Sequence, residues 1–140
     1  MTRRKNGAKN QRVHAPRKPR SPKIPEGIKA ELQIKAEQFV DEFLRPTFIE
    51  PPPDDHPWSH IVDIYTKWHR NYFYFCSKYR APGLSPVSEF EARFARLEYV
   101  GSEKFSIAFM RQTGRWVETD AGLSIEEALE RIKEDPFFQP

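Results

Sequence analysis

The residues able to do chemistry fall in three places. Nine cations, Arg3, Arg4, Lys5, Lys9, Arg12, Arg17, Lys18, Arg20 and Lys23, lie within residues 1–23, and no acid lies among them. Such a run suits a polyanion, because each phosphate it neutralises releases condensed counterions and the binding weakens steeply with salt. Nucleic acid is therefore the expected partner of residues 1–23, through Arg3, Arg4, Lys5, Lys9, Arg12, Arg17, Lys18 and Arg20. The second place is an aromatic run, Tyr72-Phe73-Tyr74-Phe75, with Arg70, Lys78 and Arg80 beside it. Exposed rings next to guanidinium groups on a sheet stack unpaired bases. Tyr72, Tyr74, Arg96, Arg111, Arg115 and Trp116 form the expected surface site. Arg111 and Arg115 belong to a polar turn that could hold an anion.

The third place is an acid–imidazole cluster: Asp54, Asp55, His56, His60, Asp63 and His69. His56 and His60 have the spacing of two zinc ligands on one helix face, but Pro57 stands between them and the segment reads as loop, so that geometry is not implied. An enzyme using the 54–69 region is the remotest reading. The single cysteine, Cys76, lies in an apolar run, where an inert buried thiol is usual. No glycine-rich phosphate loop, GxSxG elbow or HExxH pattern occurs. No catalytic residue, metal or cofactor is expected.

The elements that must position these residues can be read from periodicity. Ile28, Leu32, Ala36, Phe39 and Phe43 recur at spacings of three or four, which predicts an amphipathic helix over Glu26 to Leu44, stopped by Pro46. Residues 46–59 read as a stiff proline-rich connection. Ile61 to Trp68 and Tyr72 to Tyr79 read as a hairpin, with one continuous helix as the rival; the Tyr-Phe-Tyr-Phe run favours strand. Alternation places Tyr72, Tyr74 and Cys76 on one face and Phe73, Phe75 and Ser77 on the other, the phenylalanines filling the core. After a loop at 81–86, residues 93–100 alternate, with Ala95, Leu97 and Tyr99 on one face and Phe94, Arg96, Glu98 and Val100 on the other. Phe105, Ile107 and Phe109 share one face of the next strand, and Arg115 to Glu118 begin another. Ser124-Ile125-Glu126-Glu127 is a capping box opening a helix that ends near Lys133, before Pro136. Phe137 and Phe138 are expected to fold back onto the core. The fold class is α+β: an antiparallel sheet of about five strands, hairpin plus meander, with an N-terminal amphipathic helix and a short C-terminal one.

The charge is segregated. Residues 1–23 hold nine of the 23 basic residues, which leaves 14 basic and all 20 acidic ones beyond them, a balance of −6. The net +3 is a cationic arm added to an anionic body. Residues 1–25 contain one large aliphatic residue before Ile24, Val13, too little apolar surface to offset ordering at about 1–2 kcal/mol per residue. A disordered basic arm over 1–25 and a single domain over 26–140 follow. One cysteine forms no intrachain disulfide, and no apolar run long enough for a transmembrane segment occurs, so a soluble cytoplasmic protein is expected.

Three features carry a resemblance: Phe94-Ala95-Arg96-Leu97-Glu98-Tyr99 before a turn; Ile107-Ala108-Phe109-Met110-Arg111 running through Gly114-Arg115-Trp116; and an acidic helix, Leu123 to Lys133, leading to Asp135-Pro136-Phe137-Phe138. Over roughly residues 60–140 the chain is similar to a family of small uncharacterised bacterial proteins classed as a domain of unknown function. The resemblance implies a meander-plus-helix fold and no activity, cofactor or catalytic residue. It leaves out the arm and residues 26–59. The expected function is a small non-enzymatic binding protein. The alternative is a protein–protein interaction or regulatory module using the aromatic sheet or the first helix.

Overall fold

The structure, a computed structural model, describes residues 22–50, 59–81 and 88–140. The expected disordered arm through Ser21, the triple proline with Asp54, Asp55 and His56, and most of the 81–86 loop lie outside these residues.

Helix α1 (Glu26–Phe39) continues through a π-helical turn (Val40–Leu44) into α2 (Arg45–Phe48). Leu32, Ala36, Val40 and Leu44, four residues apart, are buried. This stripe packs on the sheet, so α1 spends its apolar face on its own core. Pro46 does not stop the helix, contrary to the sequence expectation. Arg45 keeps helical angles (φ −63°, ψ −49°), and its N–H donates to the Val40 carbonyl, five residues back. Proline lacks an N–H and its ring presses on the carbonyl four residues earlier. The wide turn placed just ahead of Pro46 relieves that contact. The Arg45 side chain then ties the helix end to the sheet. Nε donates to the Ile64 carbonyl at 3.1 Å, and the guanidinium pairs with Asp41 at 2.5 Å and Asp63 at 3.3 Å.

Among the described residues five strands form one antiparallel meander in the order β1 (His60–His69), β2 (Tyr72–Ala81), β3 (Ser88–Gly101), β4 (Lys104–Met110) and β5 (Trp116–Leu123). The first two are the expected hairpin, and the rival single helix is excluded. Arg70-Asn71 closes it with Arg70 in the left-handed region (φ 56°), and His69 pairs Tyr72. The β3–β4 turn is likewise two residues long, Ser102 and Glu103 between the paired Gly101 and Lys104. Gly101, Ser102 and Glu103 have φ of 98°, 55° and 59°, and the Glu103 N–H donates to the Tyr99 hydroxyl at 3.2 Å. A Cβ on Gly101 would lie 3.6 Å from Cγ of Pro22, so the chain passes this turn just before α1 begins.

The inner face of the sheet carries Phe73, Phe75, Leu97, Phe105 and Ile107, all essentially inaccessible, and both helices pack against it. Phe94 departs from the expected pattern. The β2–β3 register runs Phe75↔Ala95 and then Cys76↔Arg93, so Phe94 is the extra residue of a bulge. It turns into the core, where its ring centroid lies 6.3 Å from that of Phe75. Helix α3 (Ile125–Glu134) opens with the expected capping box. The Glu127 N–H donates to Ser124 Oγ at 3.1 Å, and the Ser124 N–H donates to Glu127 Oε1 at 2.8 Å. Arg131 pairs with Asp120 of β5, and Lys35 of α1 pairs with Glu126. A 3-10 turn, Pro136–Phe138, brings Phe138 into the core against Phe109, their centroids 5.7 Å apart. Phe137 remains 69% exposed, although its ring lies 5.1 Å from Phe109. Only one of the two phenylalanines folds in.

Candidate functional site

The outer face of the sheet carries no described helix or strand. It is built by the alternation that sends Phe73 and Phe75 inward: Tyr72 and Tyr74 point the other way. Register then sets their neighbours. Tyr74 is opposite Arg96 of β3, Arg96 is opposite Ala108 of β4, and Ala108 is opposite Glu118 of β5. Ala108 is small, and that lets two long side chains meet above it. The Arg96 guanidinium lies 4.3 Å from the Tyr72 ring centroid and 4.9 Å from that of Trp116. Tyr74 sits 5.6 Å from Trp116 and 6.0 Å from Tyr72. Tyr74 is only 5% exposed, whereas Tyr72, Arg96 and Trp116 are partly open to solvent.

Four of the six expected surface residues, Tyr72, Tyr74, Arg96 and Trp116, are thus brought together. Arg111 and Arg115 are not. Both are exposed at the β4–β5 turn, where the Arg111 N–H donates to the Arg115 carbonyl at 2.8 Å, and neither stacks on a ring among the described residues. Arg111 borders a separate hollow of about 380 Å³ beside Phe109 and Phe137.

A second group beside these rings was missed by sequence reasoning. Arg93 lies 4.5 Å from the centroid of Tyr74. Its Nε is 3.5 Å from Glu91 Oε2, and Lys67 Nζ is 2.8 Å from the same oxygen. The Tyr65 hydroxyl donates to Glu91 Oε1 at 2.6 Å. Hydrogen bonds from Lys67, then Tyr65, and the nearby cations hold the Glu91 carboxyl down at about 2. The Tyr65 hydroxyl is pushed above its ordinary range, by burial first and then by Glu91. Arg93 and Lys67 therefore spend their charge on Glu91. Arg96, by contrast, makes no ion pair among the described residues; its charge rests on two aromatic faces.

The Glu91 network fixes an acid dependence. Its folded value lies below the ordinary 4.5, so the stability it confers is present above that value and is lost as pH falls toward about 2. After screening at this partly open site, Glu91→Gln is expected to remove about 0.5–1 kcal/mol at neutral pH. Thermal unfolding midpoints of the variant should flatten between pH 5 and pH 2 where those of the parent fall. An unchanged slope would show that the network contributes nothing.

The other chemistry-bearing groups do not assemble. His60 and His69 stand at opposite ends of the ten-residue β1, which puts them about 30 Å apart at strand rise. No group of three metal-ligating side chains occurs among the described residues. Cys76 is inaccessible, and burial pushes its thiol up to about 11, so it is protonated at neutral pH.

The family model for a domain of unknown function (DUF3024) matches residues 24–140. The chain belongs to that family. The match takes in α1, which the sequence resemblance over 60–140 had left out. In this DUF3024 chain the helix, the five-stranded meander and α3 are therefore one family unit. The basic residues Arg3 to Lys23 precede it. No curated protein and no solved structure matches the chain. Among the described residues no helix is long and apolar enough to cross a membrane.

Proposed function

We propose that the protein binds single-stranded nucleic acid, the arm tracking the phosphates and the outer face of the sheet stacking bases. One observation carries this reading. Arg96 is held between Tyr72 and Trp116, on a face no described element covers, and among the described residues it makes no ion pair. A guanidinium fixed by rings keeps its N–H edges for a phosphate, and half-open rings beside it offer π-faces that every base can use. On the same face Lys67 and Arg93 are both engaged by Glu91. The body's balance of −6 opposes a polyanion, so the reading needs the nine cations of residues 1–23.

A protein–protein module working through α1 is less well supported, because that helix buries its apolar stripe in its own core. The nucleic-acid reading is tested by titrating oligo-dT into the full-length protein and following intrinsic tryptophan fluorescence over a salt series. If about half the nine arm cations engage, log K against log salt should have a slope of about −3 for a single strand. Replacing Arg3, Arg4, Lys5, Lys9, Arg12, Arg17, Lys18 and Arg20 by glutamine should take that slope toward zero. Equal, salt-insensitive binding by both proteins would sink the proposal.

A further inference from the structure

The helical side of the molecule carries an aromatic groove of its own. Phe39 and Phe43 of the first helical segment, stacked with centroids 5.4 Å apart, and Leu129 of α3 form the floor of a hollow of about 410 Å³. Glu42, Glu126 and Glu130 form its rim. Lys133 already rests over Phe43, 5.7 Å from the centroid, so that ring accepts a cation. Glu42 and Glu130 make no ion pair among the described residues. Glu134, next along α3, is pushed above its ordinary value by the hydrogen bond and charge of Glu130, with Lys133 opposing in part. An aromatic floor with an acidic rim is the kind of groove that takes a basic, proline-rich strand in polyproline II form.

The chain supplies such a strand. Pro16, Pro19, Pro22 and Pro25 recur every third residue, with Arg17, Lys18, Arg20 and Lys23 between them. Polyproline II has three residues per turn, so this spacing lines the prolines along one face and leaves the cations on the others. Pro25 has that geometry where it enters α1 (φ −62°, ψ 145°). Reach is sufficient. From Glu26 to Phe43 the helix rises about 26 Å, and the nine residues 13–21 span about 28 Å in polyproline II. A strand turning back at Pro22, beside the β3–β4 turn, brings Val13, its one large aliphatic residue, to the level of Phe43.

We propose that residues 13–21 dock in cis into the Phe39–Phe43–Leu129 groove, with Val13 beside Phe43 and Glu42 and with Arg17 and Lys18 toward Glu126 and Glu130. Docked, these cations are withheld from any polyanion, and a phosphate chain must compete them off the carboxylates. The docking itself needs no nucleic acid and stands apart from the stacking reading.

A nitroxide on Ala15→Cys in the full-length protein tests it. Cys76 is buried and protonated, so the introduced thiol takes the label selectively. A tether of this length sets a mM effective concentration, so even mM docking should cut the amide signals of residues 129–133 by about half or more. Glu42→Lys combined with Glu130→Lys, both exposed changes, should restore those signals while the amides of Phe73 and Phe75 stay in place. Signals of 129–133 unaffected by the label would overturn the proposal. So would broadening confined to the outer face around Trp116, or broadening of an unlabelled copy mixed with a labelled one, which would place the arm on a second molecule.

Discussion

Phe75→Ala is expected to cost about 3–5 kcal/mol of stability, the range for emptying a large aromatic site in a core. Phe75 is inaccessible and joins three elements. Its ring lies 5.5 Å from Phe73 in the same strand, 6.5 Å from Phe39 of α1 and 6.3 Å from Phe94 at the β3 bulge. No neighbour can collapse into the gap without moving either the helix or the bulge, so the cavity term stays large. Urea unfolding of the full chain reads the loss directly. Phe90→Ala is the internal control. Phe90 stacks on Tyr79 at 5.2 Å but is 49% exposed, and its removal should cost about 1 kcal/mol or less. Equal losses at the two positions would mean that Phe75 is not the junction described.

The contrast between these two phenylalanines shows what a sequence of this kind reveals. Alternation alone placed Phe73 and Phe75 inside and Tyr72 and Tyr74 outside, because a strand has a period of two and one face of the sheet is apolar. The capping box at Ser124 was equally legible, since its hydrogen bonds are local. What failed were features set by a single irregularity. Alternation puts Phe94 on the face of Arg96; the bulge turns it into the core and leaves Arg93 on the outer face, opposite Cys76. The contact of Arg93 with Tyr74, and the link from there to Glu91, depend on that bulge. Pro46 reads as a helix stop because a proline disfavours helical geometry at the residue before it, Arg45, and the π turn that lets Arg45 stay helical has no short-range signature in Val40–Leu44. Arg111 and Arg115 enter the expected surface site as the two cations of a polar turn. Their distance from the partners of Trp116 follows from the β4–β5 turn, which carries them past the end of the sheet. The meeting of Arg96 with Trp116 needed the strand register and the smallness of Ala108, both of which are tertiary facts.

Trp116→Ala should weaken oligo-dT binding by about 1–3 kcal/mol, the measured range for removing one base-stacking ring, or roughly 5- to 150-fold. The loss should be nearly independent of salt, because stacking releases no counterions. Binding is followed here by anisotropy of a labelled oligonucleotide, since the variant keeps only Trp58 and Trp68, neither of them a member of the proposed stacking site. Arg96 separates the two components of the site. Arg96→Gln removes a phosphate contact and should lower the single-strand salt slope by about 0.7. Arg96→Lys keeps the charge, and so the slope, but loses the planar group that lies against Tyr72 and Trp116. If guanidinium stacking pre-organises the face, Arg96→Lys should resemble Trp116→Ala in affinity and the parent in slope. The competing view is that Arg96 only caps the rings, as a cation covering exposed aromatic surface. On that view Arg96→Lys, Arg96→Gln and Trp116→Ala would all shift the unfolding midpoint slightly and leave oligonucleotide affinity untouched. The two views diverge most at Trp116, because it contacts both Arg96 and Tyr74 while lying on the edge strand, where a base can approach without disturbing the Phe73–Phe75 core.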